Sequence, residues 1–209
     1  DTTAYEKAFQ RLDLLVTGEV AMTETAALSH YVLPSRTGYE SWDGTFFPMT
    51  YPGIYFQMRR PILEPEGEPL ELGEVHLRLA DKLGLIPPIP ESLYQAAFAD
   101  RATFGKALME YAMTEPKALK AMPFILGKTL GKSLGSVHLA ALWGMLLAAP
   151  KSLYKNAVRA GFTSGPGLGE ELFQQILDHP EGIWAGKIDP ENNFAEVKTE
   201  DGRIHLFIP

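Results

Sequence analysis

The sequence predicts an α/β fold with a parallel component, and three observations carry that reading. Short apolar runs bounded by turn residues alternate with amphipathic stretches through residues 1–86. From about Pro87 to Phe162 the composition shifts to Ala, Leu, Met and Lys, which favour helix. The tail, residues 163–209, returns to mixed structure around Asp201-Gly202, a hairpin turn signal. The expected organisation is therefore an α/β segment, a helical insertion, and a helix plus hairpin that returns to the α/β segment.

The elements follow in order. Residues 4–12 suit a short amphipathic helix. "LDLLVTGEV" is a continuous apolar run bounded by Asp13 and Gly18, as in a buried strand. "TETAALSH" suits a short helix with Thr23 as its N-cap. "HYVLP" is a second strand, stopped by Pro34, and "GIYFQMRRPIL" a third. "EPEGEPLE" is a charged, Pro-containing loop, and "LGEVHLRLADKLGL" an amphipathic helix. Breaks near Pro116, Pro123 and Pro150 divide the helical insertion. "GEELFQQILDH" is a helix and "AEVKTEDGRIHLFIP" a hairpin. In parallel sheets, ligands bind beyond the carboxyl ends of the strands, and Gly18 and Glu19 lie at such an end.

Charge and composition exclude several functions. The net charge of -7 argues against general nucleic-acid binding. With no cysteine, the chain builds no disulfide, thiolate zinc site or cysteine-ligated iron–sulfur cluster. Its five histidines lack helical ligand spacing, so no metal site is expected from this chain alone. The longest strongly apolar run, "HLAALWGMLLAAP", is too short to span a bilayer. The first residues carry no signal-peptide pattern, and the chain reads as if it starts inside a longer protein.

Charge is also unevenly spread. Between Arg101 and Gly161 lie nine Lys or Arg and two acids, Glu110 and Glu115, a balance of +7. The remainder holds 10 bases and 24 acids, a balance of -14. A basic face solvated beside the acidic remainder is the favoured explanation. Docking of the basic helices on a partner subunit or an anionic surface is the alternative function.

Two glycine motifs invite nucleotide readings and fail on spacing. "LGKTLGKSLG" contains GKT and GKS, but a phosphate loop needs a Gly five positions earlier, where Met122 and Leu126 stand. Gly127, Gly131 and Gly135 recur every four residues, which suits close helix packing. "SGPGLGEEL" offers GxGxG rather than GxGxxG. Glu40 and Asp43 are loop carboxylates with no supporting chemistry nearby. No catalytic residue is assigned.

The strings "LDLLVTGE", "MTETAALSHYVLP", "YESWDGT", "YFQMRRPILEPEGEP" and "VHLRLADKLG" occur in that order between Leu12 and Gly84. Together they resemble the molybdopterin oxidoreductases of the dimethyl sulfoxide reductase and formate dehydrogenase superfamily. The resemblance implies a partial Rossmann-like parallel sheet and a molybdopterin guanine dinucleotide cofactor carrying molybdenum or tungsten. It assigns Gly18, Glu19 and Thr23 to the guanosine-phosphate part of that cofactor. A carboxylate accepts hydrogen bonds from ribose or guanine, Gly18 allows close approach, and Thr23 at a helix start suits a phosphate.

The pattern departs in places. Glu19 stands for the usual Asp, Ser41 or Trp42 for a Lys, His30-Tyr31 for the Asp of "DVVLP", and Leu72 for an Asp near Glu71 and Glu74. The family's iron–sulfur cysteines, metal ligand and closing β-barrel are not visible. The chain is therefore expected to be an internal piece of a longer oxidoreductase, inactive alone. Its expected partners are the remaining domains and an electron-transfer subunit.

Overall fold

In the computed structural model, which describes residues 2–45, 50–190 and 197–206, the chain divides into two units. The first comprises residues 1–43 and 60–144, the second residues 44–59 and 145–209.

The first unit opens with α1 (Thr2–Phe9), β1 (Val16–Glu19), α2 (Glu24–Ala27) and β2 (Tyr31–Pro34). β1 and β2 pair in parallel, with Gly18 opposite Leu33 and Glu19 opposite Pro34. A parallel pair needs a crossover, and α2 supplies one of minimal length. Thr23 caps it, its hydroxyl oxygen accepting from the Ala26 amide at 3.3 Å, as "TETA" leads one to expect. The predicted strand over "LDLLVTGEV" shrinks to four residues, and His30 explains where it begins. Its Nδ1 accepts from the Leu15 amide at 2.9 Å, closing the open end of the pair.

Among the described residues the parallel sheet has these two strands, with one isolated parallel bridge between Ser35 and Leu70 beside them. The third strand expected from "GIYFQMRRPIL" forms over residues 53–56 and 58–59, but these residues lie in the second unit, outside the parallel sheet, and residues 53–56 pair antiparallel there. No full Rossmann-like sheet forms among the described residues. Residues Val16, Val20, Met22 and Tyr31 remain exposed around the pair. Parallel sheets are normally covered on both faces, so this surface is unusual for its type.

Most of the first unit is helical: α3 (Leu72–Lys82), α4 (Glu91–Ala99), α5 (Arg101–Thr114), α6 (Ala118–Lys128), α7 (Leu130–Leu134) and α8 (Val137–Leu147), whose last turn passes into the second unit. Its core sits among these helices rather than against the sheet. Leu93, Phe104, Ile125, Leu130, Leu139 and Trp143 are buried, and the Phe104 and Trp143 rings lie 5.5 Å apart. Pro123 does not break the insertion as expected; it sits inside α6. The ring removes one hydrogen bond, to the Leu119 carbonyl. Leu119 and Pro123 are both exposed, so the missing bond lies on the solvent side of the helix. The break comes instead at buried Thr129, whose hydroxyl donates to the Ile125 carbonyl at 2.7 Å.

The second unit contains β3 (Asp43–Gly44, at the boundary), β4 (Gly53–Phe56), β5 (Met58–Arg59), α9 (Lys151–Arg159), α10 (Leu168–Asp178) and β6 (Ile183–Lys187). β4 pairs with β6, and β3 with β5. Ala157, Leu168 and Leu172 form its core, with Leu146, Tyr154, Phe162 and Ile183 packed around them. Gly53 leaves room for the Trp184 ring, which meets Tyr55 edge-on at 5.7 Å. Of the expected C-terminal hairpin, residues 197–206 show the turn and no strand: Gly202, at φ 65, donates to the Thr199 carbonyl at 3.0 Å. Residues 195, 196 and 207–209 of that expectation lie outside the described residues.

Candidate functional site

β1 delivers Gly18 and Glu19 to its carboxyl end, where the chain leaves the sheet toward α2. The Glu19 carbonyl accepts from the Ser35 amide at 3.1 Å, extending the parallel ladder past β2. Its side chain is half-buried, and one carboxylate oxygen accepts from the Val20 amide at 2.9 Å. A carboxylate has room for several hydrogen bonds, so accepting capacity remains. A Cβ on Gly18 would come within 3.1 Å of the Ser35 hydroxyl and 3.6 Å of a Leu72 methyl. The bare backbone there lets the start of α3 approach the strand end.

Thr23 is half-buried and uses its oxygen as an acceptor in the cap. Its hydroxyl hydrogen stays available to donate. α2 has only four residues, so the positive end of a helix contributes little here; a ligand phosphate would rely on the hydroxyl itself. Thr17 and Ser29, hydroxyl to hydroxyl, tie the strand to the far side of the same crossover.

The other sequence candidates do local work. Glu40 accepts from the Thr37 amide at 2.8 Å and closes the loop after β2. The Trp42 carbonyl lies 3.0 Å from Nδ1 of His138, and its ring lies 5.9 Å from the Arg60 guanidinium. Gly127 and Lys128 lie in α6, and Gly131 and Lys132 in α7, so helices claim the backbone that a phosphate loop would need free. Gly127 packs against Leu77 and Gly131 against Val137, as the four-residue spacing suggests. Gly135, at φ 74, ends α7 instead. In the second unit, Gly169 admits the Leu146 carbonyl and the Tyr154 hydroxyl, a close approach of backbone rather than a dinucleotide turn.

Glu71 is the residue that sequence reasoning undervalued. It precedes α3, is 4% exposed, and accepts from the Ser136 hydroxyl at 2.9 and 3.1 Å and from the Val137 amide at 3.2 Å. Its carboxylate thus holds the start of α8 and is not offered to a ligand. Beside it lies a cavity of about 360 Å³, whose walls include Arg36, Lys128 and Lys132. Nothing in the local sequence of Arg36 signals this, because its neighbours across the cavity are about a hundred residues away.

Among the described residues, no group of three His, Asp or Glu is arranged to hold a metal ion. Among the described residues, no single helix is long and apolar enough to cross a membrane.

Comparison with known proteins places part of this chain. Over 84 residues, 40% of the chain, it is 40% identical to the F420-dependent formate dehydrogenase subunit alpha of Methanocaldococcus jannaschii, covering 12% of that protein. It is 32% identical over 84 residues to the probable oxidoreductase YyaE of Bacillus subtilis, again 12% of its length. It is 32% identical over 138 residues to the trimethylamine-N-oxide reductase of Haemophilus influenzae, with 58% of this chain and 16% of that protein covered. No family model and no solved structure matches. The chain is therefore similar, over part of its length, to molybdopterin oxidoreductases, and the matches span 12 to 16% of those relatives.

Proposed function

We propose that this chain is part of the guanine-dinucleotide-binding domain of a molybdenum (or tungsten) bis-molybdopterin oxidoreductase. Gly18, Glu19 and Thr23 form part of the wall around one guanosine phosphate. The observation that carries this reading is the β1–α2–β2 crossover, with an acidic residue ending its first strand and a hydroxyl capping its helix. That is where parallel sheets receive nucleotides, and the partial similarity to oxidoreductases supports the same assignment.

The donor set suits the group. Glu19 offers a partly solvated acceptor for ribose hydroxyls or the guanine amino edge. Thr23 offers an O–H donor to a phosphate oxygen, and Gly18 lets the start of α3 close on the strand end that carries Glu19. When bound, the cofactor supplies the two-electron chemistry at its metal; this chain supplies orientation. The exposed apolar residues around β1 and β2 fit a sheet that further chain covers in a longer protein. The partners in this proposal are the remaining domains of the parent and an electron-transfer subunit.

The test is nucleotide binding to the 209-residue chain, followed by NMR or calorimetry with guanosine monophosphate and adenosine monophosphate. The expected result is weak binding that favours guanosine and is lost in Glu19→Ala and Thr23→Val. Equal binding of the two nucleotides, or wild-type affinity in Glu19→Ala, would remove the reading. The chain alone is expected to show no turnover with artificial electron donors or acceptors. Turnover by the pure chain would overturn that part.

A further inference from the structure

The cavity beside Glu71 belongs wholly to the first unit, between α3 and the α6–α7 pair. Four cationic and three acidic side chains line it, and they do not cancel evenly. Arg78 bridges Glu74 at 2.5 Å, and Lys128 bridges Asp81 at 2.7 Å. The Glu71 oxygens are taken by Ser136 and Val137. Arg36 and Lys132 have no carboxylate partner, Glu71 keeps its own charge, and the lining as a whole carries one net positive charge.

Arg36 is half-buried and gives its Nε–H to the Pro69 carbonyl at 3.4 Å. That contact anchors the guanidinium, and no carboxylate among the described residues pairs with it. Lys132 lies 5.5 Å over the Tyr94 ring, likewise with no carboxylate among the described residues. At Gly135 a Cβ would meet nothing within 4 Å, so that wall is open.

We infer that this cavity binds a small phosphate-bearing anion, gripped by Arg36 and Lys132. A guanidinium presents parallel N–H groups that match two phosphate oxygens, and a lysine adds a mobile point charge. A volume of about 360 Å³ lies in the range of small-ligand pockets and holds a diphosphate with room for water. Two of the three carboxylates are offset by their own cations, and the third, Glu71, turns its oxygens to Ser136 and Val137, leaving Arg36 and Lys132 to outweigh it. The inference does not rest on the guanosine reading. Arg36 follows β2 and Lys132 lies on α7, and neither belongs to the Gly18, Glu19 and Thr23 set. The phosphate has two possible sources, a free phosphorylated metabolite or the diphosphate of a bound dinucleotide.

Calorimetric titration of inorganic pyrophosphate into the 209-residue chain at low salt tests the site. One saturable site is expected, weakened at least about tenfold by Arg36→Gln and by Lys132→Gln. Lys106→Gln, an exposed base on α5 away from the cavity, should stay within about twofold of wild type. Circular dichroism confirms that each variant is folded. If Arg36→Gln is not, Lys132→Gln alone decides, since Lys132 is exposed.

Guanosine diphosphate forms a second arm. An advantage over pyrophosphate that Glu19→Gln removes supports the site and assigns the phosphate to a dinucleotide. Equal affinities that Glu19→Gln leaves unchanged support the site and assign a free phosphorylated ligand. Such a result would leave this site standing while the guanosine reading fell. Absence of saturable binding overturns the inference. So does equal weakening in all three base variants, or wild-type affinity in folded Lys132→Gln.

Discussion

Glu71 and Ser136, 65 residues apart in sequence, share a buried hydrogen bond that fastens the start of α3 to the start of α8. The Val137 amide and, 4.0 Å away, His138 complete the acceptor's surroundings. Removing either partner strands a polar group in the interior. Ser136→Ala is expected to lower stability by about 1–3 kcal/mol, and Glu71→Ala by at least as much. Glu71→Gln keeps an acceptor and should lose less than Glu71→Ala. Urea unfolding followed by circular dichroism measures the order; Ser136→Ala at wild-type stability would refute it.

Phe104 and Trp143 anchor the helical core of the first unit. Phe104 is fully buried, so Phe104→Ala leaves a cavity beside Trp143, and a loss of about 3–5 kcal/mol is expected. Phe104→Leu should recover more than half of it. Thermal or urea denaturation of both variants provides the comparison.

Gly169 marks a backbone approach in the second unit. An added Cβ would stand 2.8 Å from the Leu146 carbonyl oxygen and 2.9 Å from the Tyr154 hydroxyl. The carbonyl belongs to backbone and cannot rotate away. Gly169→Ala is therefore expected to destabilise by about 1–3 kcal/mol despite its gain in helix propensity. Gly167→Ala, where a Cβ meets nothing within 4 Å, serves as the control and should be close to neutral.

Asp100 caps α5. Its carboxylate accepts from the Thr103 amide at 2.8 Å and from the Thr103 hydroxyl at 2.7 Å. These bonds, the amide first, hold its pKa below the ordinary carboxylate value. The folded value thus lies under the unfolded one. The cap's contribution is full above the unfolded range, near about 4, and fades as pH falls through the depressed folded value. Asp100→Ala should have a lower thermal midpoint at pH 7, and the gap from wild type should close as the solution is acidified. A gap that stays constant from neutral to strongly acid pH would contradict this.

What the sequence made legible was local. Thr23, "TETA" and Pro34 mark a cap, a short helix and a strand stop through forces acting within a few residues. The helix over α3 follows from its amphipathic period. What escaped depended on distant pairing. β4 was recognisable as a strand, yet its partner is β6, and "IWAGK" is short, half-exposed and carries a glycine. Pro123 suggested a break because local rules cannot see that it falls on an exposed face of α6. At the candidate site, Glu19 and Thr23 stood out because one short crossover carries both. Glu71 and Arg36 did not, since the partners of Glu71 arrive from the start of α8 and the turn before it, and the cavity walls facing Arg36 from α6 and α7.

The β4–β6 ladder joins Tyr55 to Trp184, and Phe56 to Ile183. During synthesis at about 5–20 residues per second, β4 leaves the ribosome on the order of ten seconds before its partner exists. Through that interval the nascent chain carries an unsatisfied strand edge with Tyr55 and Phe56 beside it, while the helices of the first unit are already being made. Chaperone occupancy on translating ribosomes should therefore peak over this window and fall once Lys187 has emerged.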